Sequence, residues 1–172
     1  MWKVVMVVLF FAPSVKAAVQ HYFPASRQEI MDAITEFSPV GSLKAYTDAG
    51  VMSGLRKYFD HYGDCVVFFD WSGRAGQSLS YTYKNRVTYY HAVVIFTIKP
   101  RGSGVEVGVI MDNFAVEASR RFNIHSFKFD AVNLRHVMPT GAEERVLLGE
   151  VASKLGMHYD VGPLPEPINI KK

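Results

Sequence analysis

Arg86-Val87-Thr88-Tyr89-Tyr90-His91-Ala92-Val93-Val94-Ile95-Phe96-Thr97-Ile98-Lys99 runs into Pro100-Arg101-Gly102-Ser103-Gly104 and then into Val105-Glu106-Val107-Gly108-Val109-Ile110-Met111-Asp112. The first segment is rich in β-branched and aromatic residues, which suit a pleated, half-buried surface. The middle five residues combine Pro and Gly and form the clearest turn in the chain. In the third segment Val105, Val107, Val109 and Met111 alternate with Glu106, Gly108 and Ile110, the period of a strand. Residues 86–99 and 105–112 are therefore expected to form a long β-hairpin.

The flanking sequence supplies more strands. Cys65-Val66-Val67-Phe68-Phe69-Asp70-Trp71 is a short apolar run, expected as a buried strand. Ser72 to Gln77 is turn-rich, Leu79 to Lys84 reads as a strand, and Lys84-Asn85-Arg86 allows a tight turn or a bulge. A further strand is expected from Asn123 to Asp130, and an early one at Val19 to Phe23.

Helices lie on both sides of this β-rich centre. Ser26-Arg27-Gln28-Glu29 is a capping box, in which the Ser hydroxyl and the Glu carboxylate reciprocally satisfy backbone N–H groups. Ile30, Ala33, Ile34 and Phe37 then share one helical face, and Pro39 and Gly41 end the helix. Leu43 to Thr47 is ambiguous. A second helix is expected from near Asp48, with Val51, Met52, Leu55, Tyr58, Phe59 and Tyr62 at helical spacing and Gly63 as its stop. Thr140-Gly141-Ala142-Glu143 reads as a second capping box, opening a helix with Val146, Leu147, Val151, Ala152 and Leu155 on one side and Gly156 at its end. The tail from Gly162 to Pro167 carries three prolines and reads as extended and loose.

The expected fold is α+β: an antiparallel sheet of about five strands, with two N-terminal helices and one C-terminal helix packed on it. Its element order resembles the helix-grip layout of START-like lipid-binding domains. Phe23-Pro24-Ala25-Ser26-Arg27-Gln28-Glu29-Ile30 is similar to their passage from first strand to first helix. The order also resembles small α+β modules of bacterial envelope lipoproteins, without their lipid-bearing cysteine. These resemblances cover element order and carry no functional residue with them.

The first residues give an address. Met1-Trp2-Lys3 precedes nine uncharged apolar residues, Val4 to Ala12; Pro13-Ser14 breaks the run, and Val15-Lys16-Ala17 offers small residues at its first and third places. This is the three-part pattern of a secretory signal, with cleavage expected near Ala17. The run is shorter than the ~20 apolar residues that span a bilayer. Three segments are expected: a signal peptide at 1–17, a single α+β domain at 18–160 and a Pro-rich tail at 161–172. Localisation is then periplasmic or secreted. Cys65 stands alone, so an intramolecular disulfide cannot form, and no Asn-x-Ser/Thr sequon occurs. Both features lean toward a bacterial periplasm.

The formal charge of +3 falls to +1 once Lys3 and Lys16 leave with the signal. That balance offers no basic footprint for nucleic acid, and no second long apolar run predicts a membrane span in the mature protein. The six histidines form no metal-binding spacing with one another or with Cys65, and no cofactor motif is present. Gly73-Arg74-Ala75-Gly76 lacks the Lys-Ser/Thr of a phosphate loop, and Gly76-Gln77-Ser78-Leu79-Ser80 lacks the closing Gly of a nucleophile elbow. Cys65 heads an apolar run, a setting that favours an inert thiol.

The aromatic content, twelve Phe, nine Tyr and two Trp, is the remaining feature. Tyr81, Tyr83, Tyr89, Tyr90 and His91 fall on two adjacent expected strands. They serve either as cross-strand packing or as a ligand- or partner-binding face. The expected function is a non-enzymatic, envelope-associated binding module acting through a protein partner. The alternatives are an apolar or lipid-like ligand held between the sheet and the C-terminal helix, and an enzyme with a scattered His/Asp site. Export in a bacterium is expected to yield a mature N-terminus at Ala18 or Val19 by N-terminal sequencing; recovery from the cytosol with Met1 retained would contradict the address.

Overall fold

The computed structural model describes residues 19–36, 45–47, 54–71, 77–125 and 128–170. The signal pattern, the Pro39–Gly41 helix stop, the helix start near Asp48 and residues 72–76 of the expected Ser72–Gln77 turn lie outside the described residues, and Gln77 opens a strand. The described elements are β1 (Val19–Phe23), α1 (Arg27–Thr35), β2 (Ala45–Tyr46), α2 (Arg56–Tyr62), β3 (Cys65–Trp71), β4 (Gln77–Tyr83), β5 (Arg86–Arg101), β6 (Gly104–Asn123), β7 (Lys128–His136), α3 (Ala142–Lys154) and β8 (Ile168–Ile170).

The expected hairpin is the spine of the sheet. β5 and β6 pair antiparallel from Arg101↔Gly104 to Tyr90↔Val116. At ~3.3 Å per residue the 20 residues of β6 would span about 65 Å if straight, against the roughly 40 Å width of a compact domain of this size. The strand therefore has to bend, and Asn113, at φ 51, lies within the register shift between His91 and Val93. The bulge changes which residues face the main core. Before it Val105, Val107, Val109 and Met111 are buried there; after it Phe114 and Val116 are. One extra residue thus keeps an apolar face pointing inward along a bent strand.

Each long strand serves two partners in succession. Along β5, β3 pairs with 92–97 and β4 with 86–89. Along β6, β1 pairs with 105–109 and β7 with 115–123. The spine thus has a proximal half, flanked by β1, β3 and β2, and a distal half, flanked by β4 and β7. β8 pairs parallel with β4. The sheet is therefore mixed, which corrects the all-antiparallel expectation: the tail returns beside β4 in the same direction after α3. The tail, expected to be extended and loose, is anchored. Arg145 Nη1 donates to the carbonyls of Val161 and Pro163 at 3.2 and 3.3 Å, and β8 follows.

Both sheet faces are covered at the proximal end. On one face Ile30 and Ile34 of α1 and Leu147, Leu148, Val151 and Ala152 of α3 pack with Phe68, Trp71, Val94 and Phe96. On the other, Leu55, Tyr58 and Phe59 enclose Cys65, Val67, Val93 and Ile95. Cys65 is buried, as its apolar neighbours implied. The Ser26–Glu29 capping box forms as read, with Glu29 N donating to Ser26 Oγ at 3.3 Å and Ser26 N to Glu29 Oε2 at 2.8 Å. Arg27 fastens that helix start to Asp64 through two contacts, 2.6 and 2.8 Å. No helix among the described residues is long and apolar enough to cross a membrane.

Other expectations are adjusted. The described second helix begins at Arg56, and the strand expected at Asn123–Asp130 is divided. Asn123 ends β6, residues 124 and 125 turn, and Lys128 opens β7.

Candidate functional site

The distal half contains a buried polar cluster where β4 meets the start of α3. Gln77 pairs with Tyr89 and Thr82 with Val87, so residues 78–81 of β4 stand opposite Thr88 alone. Those four residues bulge out of the β4–β5 ladder, and N–H groups among them need other acceptors. Glu143 supplies those for Leu79 and Ser80. Its Oε1 accepts from Ser78 Oγ at 3.0 Å, Leu79 N at 3.0 Å and Ser80 N at 2.9 Å. Its Oε2 accepts from the Ser80 hydroxyl. Tyr81 N donates to Ser78 Oγ at 3.1 Å. A hydroxyl carries one proton. With that of Ser80 given to Glu143, the hydrogen bond between Ser80 and Thr140 is donated by Thr140. Thr140 Oγ1 in turn accepts from Ala142 N at 3.4 Å.

Glu143 therefore does not close the capping box expected at Thr140–Glu143. The N-cap is Gly141, at φ 86, with no side-chain cap bond. The carboxylate turns to β4 because the bulge presents more unsatisfied donors than the helix start does. A sequence signal for this existed. Glu143 and Glu144 lie four residues before Leu147 and Leu148, which lie four before Val151 and Ala152. All six share one buried stripe of α3.

Around this cluster Tyr90 is buried, and burial first, then the Glu143 charge, push its phenol well above the usual range. Trp71 hydrogen-bonds to Tyr90 and offsets part of that rise. Tyr81 is also buried; burial and Glu143 raise its phenol, whose hydroxyl donates to Met138 O. A carboxylate has about four lone-pair sites, and Glu143 fills as many with internal donors. It is a staple between β4 and α3 rather than a base open to a substrate.

The five aromatic and His positions singled out in the sequence are thus divided. Tyr81 and Tyr90 are core side chains beside the staple. Tyr83 and Tyr89 line an open groove of about 1150 Å³. His91 lies next to it, with Nε2 at 2.9 Å from Oε1 of the nearly buried Glu117, another lining residue.

The groove also takes in Val87 and Leu134, exposed at 62% and 46%, and the cations Lys84, Arg86 and Arg135. Lys84 and Asn85 form a two-residue hairpin turn with φ of 50 and 58. Asn85 N donates to Asn169 Oδ1 at 3.0 Å, and Asn169 Nδ2 returns a bond to Asn85 Oδ1. β8 thereby holds the turn that sets Lys84 and Arg86 on the rim. The sequence reading passed over Arg86, Glu117, Leu134 and Arg135 as site residues. They meet only because β6 continues past Asn113 to pair with β7. Chemically the groove offers aromatic and aliphatic surface with three cations against one carboxylate. Among the described residues no cluster of His, Cys, Asp and Glu could hold a metal ion.

Replacing Glu143 by Ala leaves the N–H groups of Leu79 and Ser80 without their acceptor. Each such buried group costs about 1–3 kcal/mol. The expected loss is ~3 kcal/mol, or about 10 °C in Tm, read by thermal denaturation; a Tm within about 2 °C of the parent would contradict the staple. No family model, curated protein or solved structure matches this chain.

Proposed function

We propose that the protein is a non-enzymatic binding module of the periplasm or cell exterior, and that a protein partner docks in the distal groove. The observation that carries this reading is the groove itself. It joins Tyr83 and Tyr89 to exposed Val87 and Leu134 within a rim of Lys84, Arg86 and Arg135. Tyr offers wide apolar area with a polar tip, and exposed apolar patches rimmed by polar groups mark interaction sites. The three cations favour an acidic partner surface.

The alternatives have less support. A ligand between sheet and C-terminal helix would compete with Leu147, Leu148, Val151 and Ala152, which occupy that space as core. For an enzyme, the Ser78 and Ser80 hydroxyls are committed to Glu143, and His91 with Glu117 is a pair without a nucleophile assigned to it.

The test is site-specific photo-crosslinking in exporting cells. A photoreactive side chain at Val87 is expected to give one discrete protein adduct, and the same group at exposed Gln28 none. Arg86→Glu is expected to lower the Val87 adduct about tenfold, equivalent to ~1.4 kcal/mol. Absence of an adduct, or one insensitive to Arg86→Glu, would contradict the reading.

A further inference from the structure

Among the described residues, one ladder edge at the distal end of the sheet, beside the groove, has no strand paired to it. Among the described residues β7 pairs only with β6. Its outer edge runs nine residues, Lys128–His136, without proline or glycine. The other long strands are paired on both edges: β5 between β6 and the β3–β4 series, β6 between β5 and the β1–β7 series. The outer edge of β4 is taken by β8. An open edge presents N–H and C=O groups with the geometry to receive another strand. Asn133, Leu134, Arg135 and His136 are exposed in succession, so neither face of the strand is covered there. Three of these four also line the groove.

We infer that the groove's occupant is an extended acidic segment of a partner protein that adds to the outer edge of β7 as a further strand. This rests on the groove reading above and specifies its geometry. Main-chain hydrogen bonds to the β7 edge supply affinity without sequence demands, and alternate side chains of the added strand supply selectivity. Apolar side chains of that strand meet Leu134 and carboxylates meet Arg135, while Lys84 and Arg86 on the facing rim of the groove attract the same acidic segment. A second copy of this chain fits less well, because its own β7 edge brings Arg135 against the same cations.

The test uses the exported chain and a random 12-residue peptide library. Enriched peptides are expected to alternate acidic and apolar residues. Binding of a resynthesised peptide is expected to slow amide exchange in β7 at least tenfold between 131 and 136. N-methylation at every second residue is expected to abolish binding in one register and spare it in the other, since only alternate N–H groups face β7. Arg86→Glu is expected to weaken binding about tenfold. If peptides bind with dependence on Arg86 but β7 amides are unchanged and both methylation registers behave alike, strand addition is overturned while the groove reading stands. If no peptide is enriched, or Arg86→Glu has no effect, both are overturned.

Discussion

The distal half of this protein depends on one carboxylate. Four residues of β4 leave the ladder opposite Thr88, which strips N–H groups of their partners inside a region dry enough to bury Tyr90. An uncompensated polar group there costs more than an average hydrogen bond contributes, so a bulge of that size persists only with a dedicated acceptor. Glu143 is that acceptor, and Ser78, Ser80 and Thr140 complete its shell. The burial of Glu143 is itself costly, and the four donors are what offset it.

This staple has consequences at a distance. It fixes the start of α3 against β4, and α3 carries Arg145, whose guanidinium holds the returning tail. The tail becomes β8, pairs with β4 and clasps the Lys84-Asn85 turn through Asn169. The turn sets the cations of the groove rim. Core, staple, tail and rim are thus one chain of contacts. The proximal half relies on a different device, two apolar layers on a sheet whose bend is absorbed at Asn113.

Much of the scaffold could be read from residues alone. The β5–β6 hairpin, the apolar β3 run and the Ser26 capping box each rest on local patterns, and local patterns survive folding when tertiary forces agree with them. The continuation of β6 beyond Asp112 was hidden because the Asn113 bulge shifts the inward positions from odd to even. Alternation over the whole strand therefore looks broken. The parallel β8 was hidden because a three-residue strand after three prolines carries almost no periodicity. The site suffered most. Tyr83, Tyr89 and His91 do reach or border the groove, but Tyr81 and Tyr90 on the same two strands turn into the core. The bulge in β4 decides this for Tyr81. Glu143 read as a cap because its spacing from Thr140 is that of a capping box; its alignment with Leu147 and Val151 was the better guide.

The central claim is that the Glu143 carboxylate replaces the missing ladder for β4. Amide hydrogen exchange followed residue by residue by NMR tests it most directly. If Glu143 holds Leu79 N and Ser80 N as the geometry requires, those two amides exchange as slowly as Val94 and Phe96 in the centre of β5, although they belong to no strand ladder. Exchange of Leu79 and Ser80 at the rate of the Gly102–Ser103 turn would contradict the account.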